Sequence, residues 1–424
     1  MSSQGKLAAA IMLALAANAR AELSLFDNRL KLEGFATFGM IKADDPQVTV
    51  KVDDRTSTGS TNDVRLDADS QISGQATVVL SNSVKGVVQL LAKKDDKSQF
   101  KPKVEWAYLS WQASDELDFK LGRSVAPIFL MSDYRNLFYA QTAARPSIAY
   151  STNPITWQDG INVLWEPKVG SNNFTVDAFY GKTRLSVGSS VSIDFSKAWG
   201  IAGKWSSGPF SARLGYSSYD YKVTAPPIAG LIGFVATIPP AFCSNCAQLM
   251  SKEMDIEHGK SNLKTFGLAY DDEQYIAQAE WARREQTLAN APVTDSYYAM
   301  GGIRYGSLTP YLMYTNFKTK GDKLPFSGPA ASPYADTLGF LRSTRLGIGS
   351  PDGNTYTLGL RWDLAPRIAL KAQIDHMRFS QPELGSTFVV KFPQNIYASP
   401  ALGLSKQYFD GRVNLYTLNL DMIF

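Results

Sequence analysis

Hydrophobic and polar residues alternate over most of the last fourteen residues, from Gly411 to Phe424. One side of the segment carries Tyr416, Leu418, Leu420, Met422 and Phe424, and the other carries Leu415, Thr417, Asn419 and Asp421. Successive side chains of a β-strand point to opposite faces, so this two-residue period predicts a strand with one apolar face. The strand runs to an aromatic final residue.

The same period recurs upstream, most clearly over residues 64–81. Seven polar residues there occupy one face, in alternation with apolar residues: Arg65, Asp67, Asp69, Gln71, Ser73, Gln75 and Thr77. Strands of soluble sheets rarely extend so far, whereas a tilted strand that crosses a bilayer needs about 9–11 residues. The segment therefore predicts a membrane-crossing strand.

About sixteen such segments follow one another along the chain. We predict strands at 30–42, 64–81, 84–94, 104–113, 117–126, 159–167, 173–183, 197–206, 210–222, 263–271, 274–286, 295–306, 308–319, 355–365, 367–379 and 412–424. Odd-numbered gaps are predicted to be long, including 43–63, 127–158, 184–196 and 223–262, and even-numbered gaps to be tight turns. β-Propellers and sandwiches do not sort their connections in this way.

The predicted fold class is therefore all-β, a transmembrane antiparallel β-barrel of about 16 strands with long outer loops and short periplasmic turns. Lipid offers no hydrogen-bond partners, so a non-helical spanning chain must close into a barrel. The longest apolar stretch after the N-terminus, Pro227 to Pro239, is too short for a membrane helix.

The N-terminus has the three parts of a secretory signal peptide. Lys6 precedes an apolar run from Leu7 to Ala17, and Ala19-Arg20-Ala21 forms a small-x-small site. Cleavage is expected between Ala21 and Glu22, which leaves residues 22–424 as the barrel. An amphipathic first helix is the alternative interpretation.

Composition narrows the function classes. The chain has 43 basic and 39 acidic residues, a balance that does not suggest a nucleic-acid partner. Two Cys and two His leave little room for a metal cage or a His-based triad, and no Ser lies in a Gly-x-Ser-x-Gly context. Asp375 and His376 are strand neighbours that point to opposite faces. We expect no enzymatic activity, no metal and no cofactor.

The chain resembles the sixteen-stranded, trimeric outer-membrane porins of the general-diffusion type. The resemblance rests on the signal peptide, the loop alternation, Leu121-Gly122-Arg123, the hairpin at 355–379 and the terminal Leu418–Phe424. It implies passive diffusion of small hydrophilic solutes and ions across the Gram-negative outer membrane. It also implies contact with the lipid bilayer and lipopolysaccharide, and a homotrimer. The wholly polar, acidic third loop common in such porins is not seen, so ion selectivity does not carry over.

In that family the third long loop folds into the lumen and narrows it. Here this loop is 127–158, with Asp133, Arg135 and Arg145. Opposite charges on the loop and the wall would create a field across a narrow aqueous neck. Candidate wall residues are Arg65, Asp67, Asp69, Lys85, Lys120, Arg123, Arg361 and Lys371, each of which could instead be a solvated lumen charge away from the neck. Arg123 shares parity with outward-facing Leu121, so it would point inward only if the strand ends or bulges there.

The loop at 223–262 holds two further features. Cys243 and Cys246 would suggest redox or zinc chemistry in the cytosol, but an exported chain favours a loop-stapling disulfide. Residues 225–240 are unusually apolar for a loop in water. They either pack into the barrel mouth against loops 320–354 and 380–411, or contact a partly apolar nutrient, which would make the protein a substrate-selective channel.

Overall fold

A computed structural model describes most of the chain outside the N-terminal segment. The described residues are 23–46, 50, 59–60, 62–95, 99–153, 155–170, 172–187, 191–287, 293–320, 326–329, 332–335, 337–338, 352–379 and 411–424. The predicted signal peptide at 1–21 lies outside them. So do the predicted loop at 380–411, except Gly411, and much of the loop at 320–354.

Sixteen strands cross from one rim of the molecule to the other. They are β1 Leu30–Ala43, β2 Gln71–Val79, β3 Val84–Lys94, β4 Phe100–Ser114, β5 Leu117–Val125, β6 Trp157–Trp165, β7 Asn172–Val187, β8 Val191–Ser207, β9 Phe210–Thr224, β10 Gly259–Asp271, β11 Tyr275–Gln286, β12 Val293–Ile303, β13 Leu308–Lys320, β14 Gly353–Ala365, β15 Ile368–Phe379 and β16 Arg412–Ile423. Two short strands lie at the periplasmic rim: Leu23–Leu25 pairs with the start of β1, and Lys168–Val169 pairs with the start of β7.

Each strand pairs antiparallel with its neighbours along the chain, and the last strand pairs with the first. Leu420 of β16 lies opposite Phe38 of β1, and Phe424 exchanges backbone hydrogen bonds with Gly34. The sheet therefore closes on itself, and the ladder bonds of the strands are satisfied without water, as a lipid environment requires. The prediction of a closed barrel of sixteen strands is confirmed.

The outward face of the barrel is apolar. Leu121 on β5 and Leu312 on β13 are 65% and 64% exposed, the values expected for side chains that lipid rather than protein covers. Exposed aromatics add to both ends of this face, among them Trp165, Trp205, Tyr275, Trp362, Tyr297 and Tyr356. The buried inward side chains of the same strands include both polar and apolar residues. Those of β7–β13, such as Phe179 and Tyr298, pack in one cluster with Phe129 and Tyr150 of the loop between β5 and β6, which shows that loops fill much of the lumen.

Two predicted boundaries are wrong. Residues 65–70 do not continue β2: Ser70 Oγ donates to Leu66 O and accepts a 3.0 Å bond from the Gly39 amide, which folds the segment into bends above the lumen. Residues 184–196 are not a long loop, because β7 and β8 pair across most of this range, from Arg184 opposite Asp194 to Val187 opposite Val191. A two-residue period in polar sequence is compatible with either a strand or an extended loop.

The helices lie in loops. The third loop, residues 126–156 and hereafter L3, contains 3₁₀ turns at Ser132–Tyr134, Phe138–Ala140 and Ile148–Thr152. The loop between β9 and β10 contains α1, Pro226–Ala236, and α2, Cys246–Lys252. Within the described residues, no helix has the length and apolar character needed to cross a membrane.

Candidate pore constriction

L3 lies across the lumen, and Arg145 is its central anchor. The guanidinium of Arg145 donates to Asp69 at 2.7 Å, to Asp375 at 3.1 Å and to the Thr417 hydroxyl. These side chains are almost completely buried: 10% of Arg145, 2% of Asp69 and 5% of Asp375 are exposed. The two carboxylates hold the pKa of Arg145 above its ordinary value, against the opposing effect of burial. One L3 side chain thus joins the outer ends of the first two and last two strands.

Wall side chains also hold the L3 backbone on either side of Arg145. Lys371, fully buried with Asp421 at 2.9 Å, donates to the carbonyls of Phe138 and Ala143. Arg361 donates to the carbonyls of Tyr139 and Gln141 at 2.7 and 2.9 Å. Because these cations end on L3 carbonyls, they fix the position of the loop and do not line open water.

The beginning of L3 is attached to the opposite wall. The carbonyl of Pro127 accepts from Arg213, and the amide of Leu130 donates to Glu280 at 2.7 Å. Within L3, the Met131 amide donates to the Tyr150 hydroxyl at 3.0 Å, and burial raises the pKa of Tyr150 well above its usual value. Burial likewise raises the pKa of Tyr134 to about 12.

Asn136 of L3 reaches the wall formed by β2, β3 and β4. Its backbone carbonyl accepts from Gln71, its Oδ1 lies 3.4 Å from Lys93 Nζ, and its Nδ2 donates to Glu105 at 3.0 Å. Lysine is a donor only and a carboxylate an acceptor only, so these two neighbours fix the orientation of the carboxamide. L3 therefore contacts both sides of the barrel.

Two cavities lie on either side of L3. The outer cavity, of about 110 Å³, lies among the extracellular ends of β2, β3 and β13–β16. The inner cavity, of about 310 Å³, lies on the periplasmic side against β1–β4 and the C-terminus. Arg135 and Asn136 line both cavities. These two residues therefore mark the boundary between the outer and inner halves of the lumen.

The structure brings three of the predicted constriction residues to this boundary or beside it. Asp133 is exposed in the inner cavity, and Arg135 stands over the Tyr150 ring with its guanidinium 3.3 Å from the Asn153 carbonyl. Arg145 lines the outer cavity. Lys120 faces the lumen from β5, over the Tyr108 ring, and does not line either cavity.

Arg65 lies higher, in the bends after the first outer loop. It pairs with Asp67 at 2.8 Å, and Asp67 also pairs with Lys94. Burial alone would raise the pKa of Asp67, but hydrogen bonds from Arg65 and Lys94 outweigh it and lower that pKa. The pair is part of the vestibule wall and not of the narrow boundary.

The structure places Arg123 on the outward face, away from the lumen. It pairs with Asp159 at 2.8 Å and stacks on the Trp157 ring at 3.7 Å. Arg123 lies opposite Asp159 in the paired strands. This position is two residues along from the exposed pair Leu121 and Ile161, so Arg123 shares their outward direction. Gly122 has a φ of 128° but does not reverse this parity. The structure shows no bulge that turns Arg123 inward, and it separates Arg123 from the other five candidates.

Sequence reasoning missed Asn136, Lys93 and Glu105. Glu105 faces inward because the β3–β4 register shifts between Gln89 and Leu90, and this bulge breaks the parity that a period-two pattern assumes. Lys93 has the correct parity on β3, so the pattern could have found it. Asn136 is uncharged, and a search for fixed charges passes over it.

The apolar segment at 225–240 packs within the outer loops. Val235 and Ile238 are buried with Phe326, Leu338 and Met250 in one cluster. Cys243 and Cys246 form a disulfide beside it. The apolar side chains thus cover one another over the barrel mouth, and the alternative of an apolar-nutrient channel is not favoured. Among the described residues, no group of three His, Cys, Asp or Glu side chains could hold a metal ion.

Comparison with known proteins agrees with this geometry. Three solved structures superpose over nearly their whole length: OmpF of Salmonella typhi in complex with daunomycin, the outer membrane channel DcaP of Acinetobacter baumannii, and the anion-selective porin from Comamonas acidovorans. Their TM-scores are 0.53, 0.52 and 0.51, and their identities 13%, 13% and 14%. The alignments cover 95%, 95% and 93% of this chain and 100%, 100% and 99% of those chains. No curated protein sequence matches.

The family model described as Gram-negative porin matches residues 7–382, which is most of the chain. The match includes L3 and every strand from β1 to β15. Together with the closed barrel, its apolar outer face and a loop held across the lumen, this match shows that the chain belongs to the Gram-negative porin family and is a diffusion channel of the outer membrane.

Proposed function

We propose that the channel passes small hydrophilic solutes and ions through the space between L3 and the wall of β2–β7, with its narrowest part beside Arg135 and Asn136. The observation that carries this proposal is the double attachment of L3, by Arg145 to Asp69 and Asp375, and by Asn136 to Lys93 and Glu105. A loop held at both sides of the lumen sets a fixed width, and the charges beside it act across little water.

Among the predicted constriction residues, we propose that Asp133, Arg135 and Arg145 are the charges that L3 contributes to the neck, and that Lys120 and Arg65 act on solutes before or after it.

Arg123 has a different role in this proposal. Its pair with Asp159 lies next to Lys182 on the outer face. We propose that lipopolysaccharide phosphates bind there. Arginine and lysine are suited to bind such groups. A homotrimer, removal of residues 1–21 and absence of catalytic activity complete the proposal.

Electrophysiology tests the proposed pore directly. Purified protein in planar bilayers should give stepwise, unsaturable conductance that rises with salt concentration. Charge reversal by Arg135→Glu should move the reversal potential in a salt gradient toward cation preference, because the charge beside the neck falls by two. The matched change Arg123→Glu, on the outer face, should leave the reversal potential unchanged. Equal shifts for both variants, or for neither, would contradict the proposed path.

A further inference from the structure

The two cavities on either side of L3 carry opposite charge. Of the described residues that line the outer cavity, four are cationic (Lys93, Lys94, Arg135 and Arg145) and two are anionic (Asp69 and Asp375), a net charge of +2. In the inner cavity, three are anionic (Glu33, Glu105 and Asp133) and Arg135 is cationic, a net charge of −2. The charge changes sign along the barrel axis.

The sign changes across a single side chain. On one side of the Asn136 carboxamide, Lys93 Nζ lies 3.4 Å from Oδ1, and on the other, Glu105 Oε1 lies 3.0 Å from Nδ2. A cation and an anion are thus separated by one carboxamide and two polar contacts. The vestibule pair Arg65–Asp67 is neutral overall and leaves the outer charge unaltered.

The walls of the outer cavity also have an apolar part. Met313, Met377, Leu415 and Ile148 line it opposite the lysines. A solute that fits this cavity carries an anionic end toward the lysines and a short hydrocarbon body against the methionines. Its leading end, if cationic, then meets Glu105 and Glu33 in the inner cavity.

We infer that this pore favours zwitterions whose two charges are separated along the molecule, with the ammonium leading inward and the carboxylate facing outward. The inference rests on the proposed path beside Asn136 and specifies the solute class that path serves. Attraction at both poles raises the local concentration of such a solute at the neck. A zwitterion with adjacent charges gains little, because its two ends cannot reach both poles.

Liposome swelling with two isomeric solutes tests this inference. 5-Aminopentanoate separates its charges by four methylenes, whereas norvaline has the same atoms with adjacent charges, and both are electrically neutral at pH 7. The first should enter about fivefold faster, the factor that corresponds to about 1 kcal/mol, which is the energy of two unit charges 4 Å apart in water. Equal entry rates would overturn the inference.

Variants assign the effect to the two poles. Lys93→Gln and Glu105→Gln should each bring the rate ratio of the isomers toward one, and Lys204→Gln, at the periplasmic end of β8 on the lumen face, should not. Glu33→Gln tests the inner pole at an exposed residue that holds no L3 contact, so it remains informative if Glu105→Gln fails to fold. A ratio that survives both Lys93→Gln and Glu33→Gln would overturn the inference.

Entry of arabitol, a neutral polyol, separates this test from that of the proposed function. If arabitol enters at the wild-type rate in a variant whose isomer ratio falls, the poles act by charge, as inferred. If arabitol enters faster in that variant, the side chains set the width of the neck, and the inference fails. If arabitol does not enter wild-type liposomes at all, the proposed diffusion pathway itself is wrong.

Discussion

Replacement of Arg145 by methionine should release L3 from the wall. The change keeps an unbranched stem but removes the guanidinium, which leaves Asp69 and Asp375 facing each other without their shared cation. Removal of one partner from a buried ion pair costs about 3–5 kcal/mol, because a charge stays buried without compensation. That loss is comparable to the total for the remaining hydrogen bonds of Ala143 and Ala144, at about 1 kcal/mol for each bond. The segment around Ala144 should therefore detach in a large part of the channel population.

Single-channel conductance in planar bilayers measures this release. We expect Arg145→Met to give larger and more variable unitary conductance than the wild type at neutral pH. The matched control is Arg65→Met, whose pair with Asp67 is about one-third exposed and contributes only about 0–1 kcal/mol. Its conductance should equal that of the wild type.

Removal of the two carboxylates should reverse the effect in the Arg145 variant. Replacement of Asp69 and Asp375 by asparagine in the same variant removes their mutual repulsion, so L3 should return to the wall and the conductance should fall toward the wild-type value. If Arg145→Met conducts like Arg65→Met, Arg145 does not hold the loop, and the reasoning is refuted.

Three further predictions concern other parts of the barrel. Lys371→Met should also raise conductance, because it frees the Phe138 and Ala143 carbonyls, and noise analysis of open-channel current would detect the loosened loop. Leu312→Arg, on the lipid face, should lower the free energy of folding into bilayers by about 2–4 kcal/mol if the residue lies near the midplane, measured by urea titration against Lys204→Gln, and no change would place Leu312 outside lipid. The pKa of Asp67 is lowered in the folded protein, so its ion pairs contribute stability above pH 3.8, and this stability is lost as the pH falls through the lowered pKa. The reversal potential should therefore shift toward anion preference only below pH 3.8. Asp67→Asn should abolish this shift.

Much of the fold could be predicted from the sequence because each strand of the barrel has one face toward lipid and one toward the lumen. Lipid on one side and water or loop on the other force alternation, and sixteen strands could be counted from it. The period fails where the backbone departs from regular geometry. Residues 65–70 alternate as a strand would, yet Ser70 bonds to Gly39 and Leu66 and turns the chain. Local pattern carries no information about such a long-range bond.

The site was harder to predict than the fold. Arg145 was selected as a charge on a loop, but its partners Asp69 and Asp375 lie 76 and 230 residues away in the chain. Arg123 had outward parity in the sequence and lies outward in the structure, beside Trp157. Glu105 owes its inward direction to a bulge in β4, and no residue type marks a bulge reliably.

The meeting of β1 and β16 has a consequence for the order of assembly. Arg145 binds Asp69 from the start of the chain, and Asp375 and Thr417 from its end. These groups come together only when the first and last strands pair. During synthesis and export, L3 therefore has no complete binding site on the wall. The final step of barrel closure fixes L3 and with it the width of the finished pore. A barrel that stopped one strand short would have both an unpaired strand edge and an unattached L3.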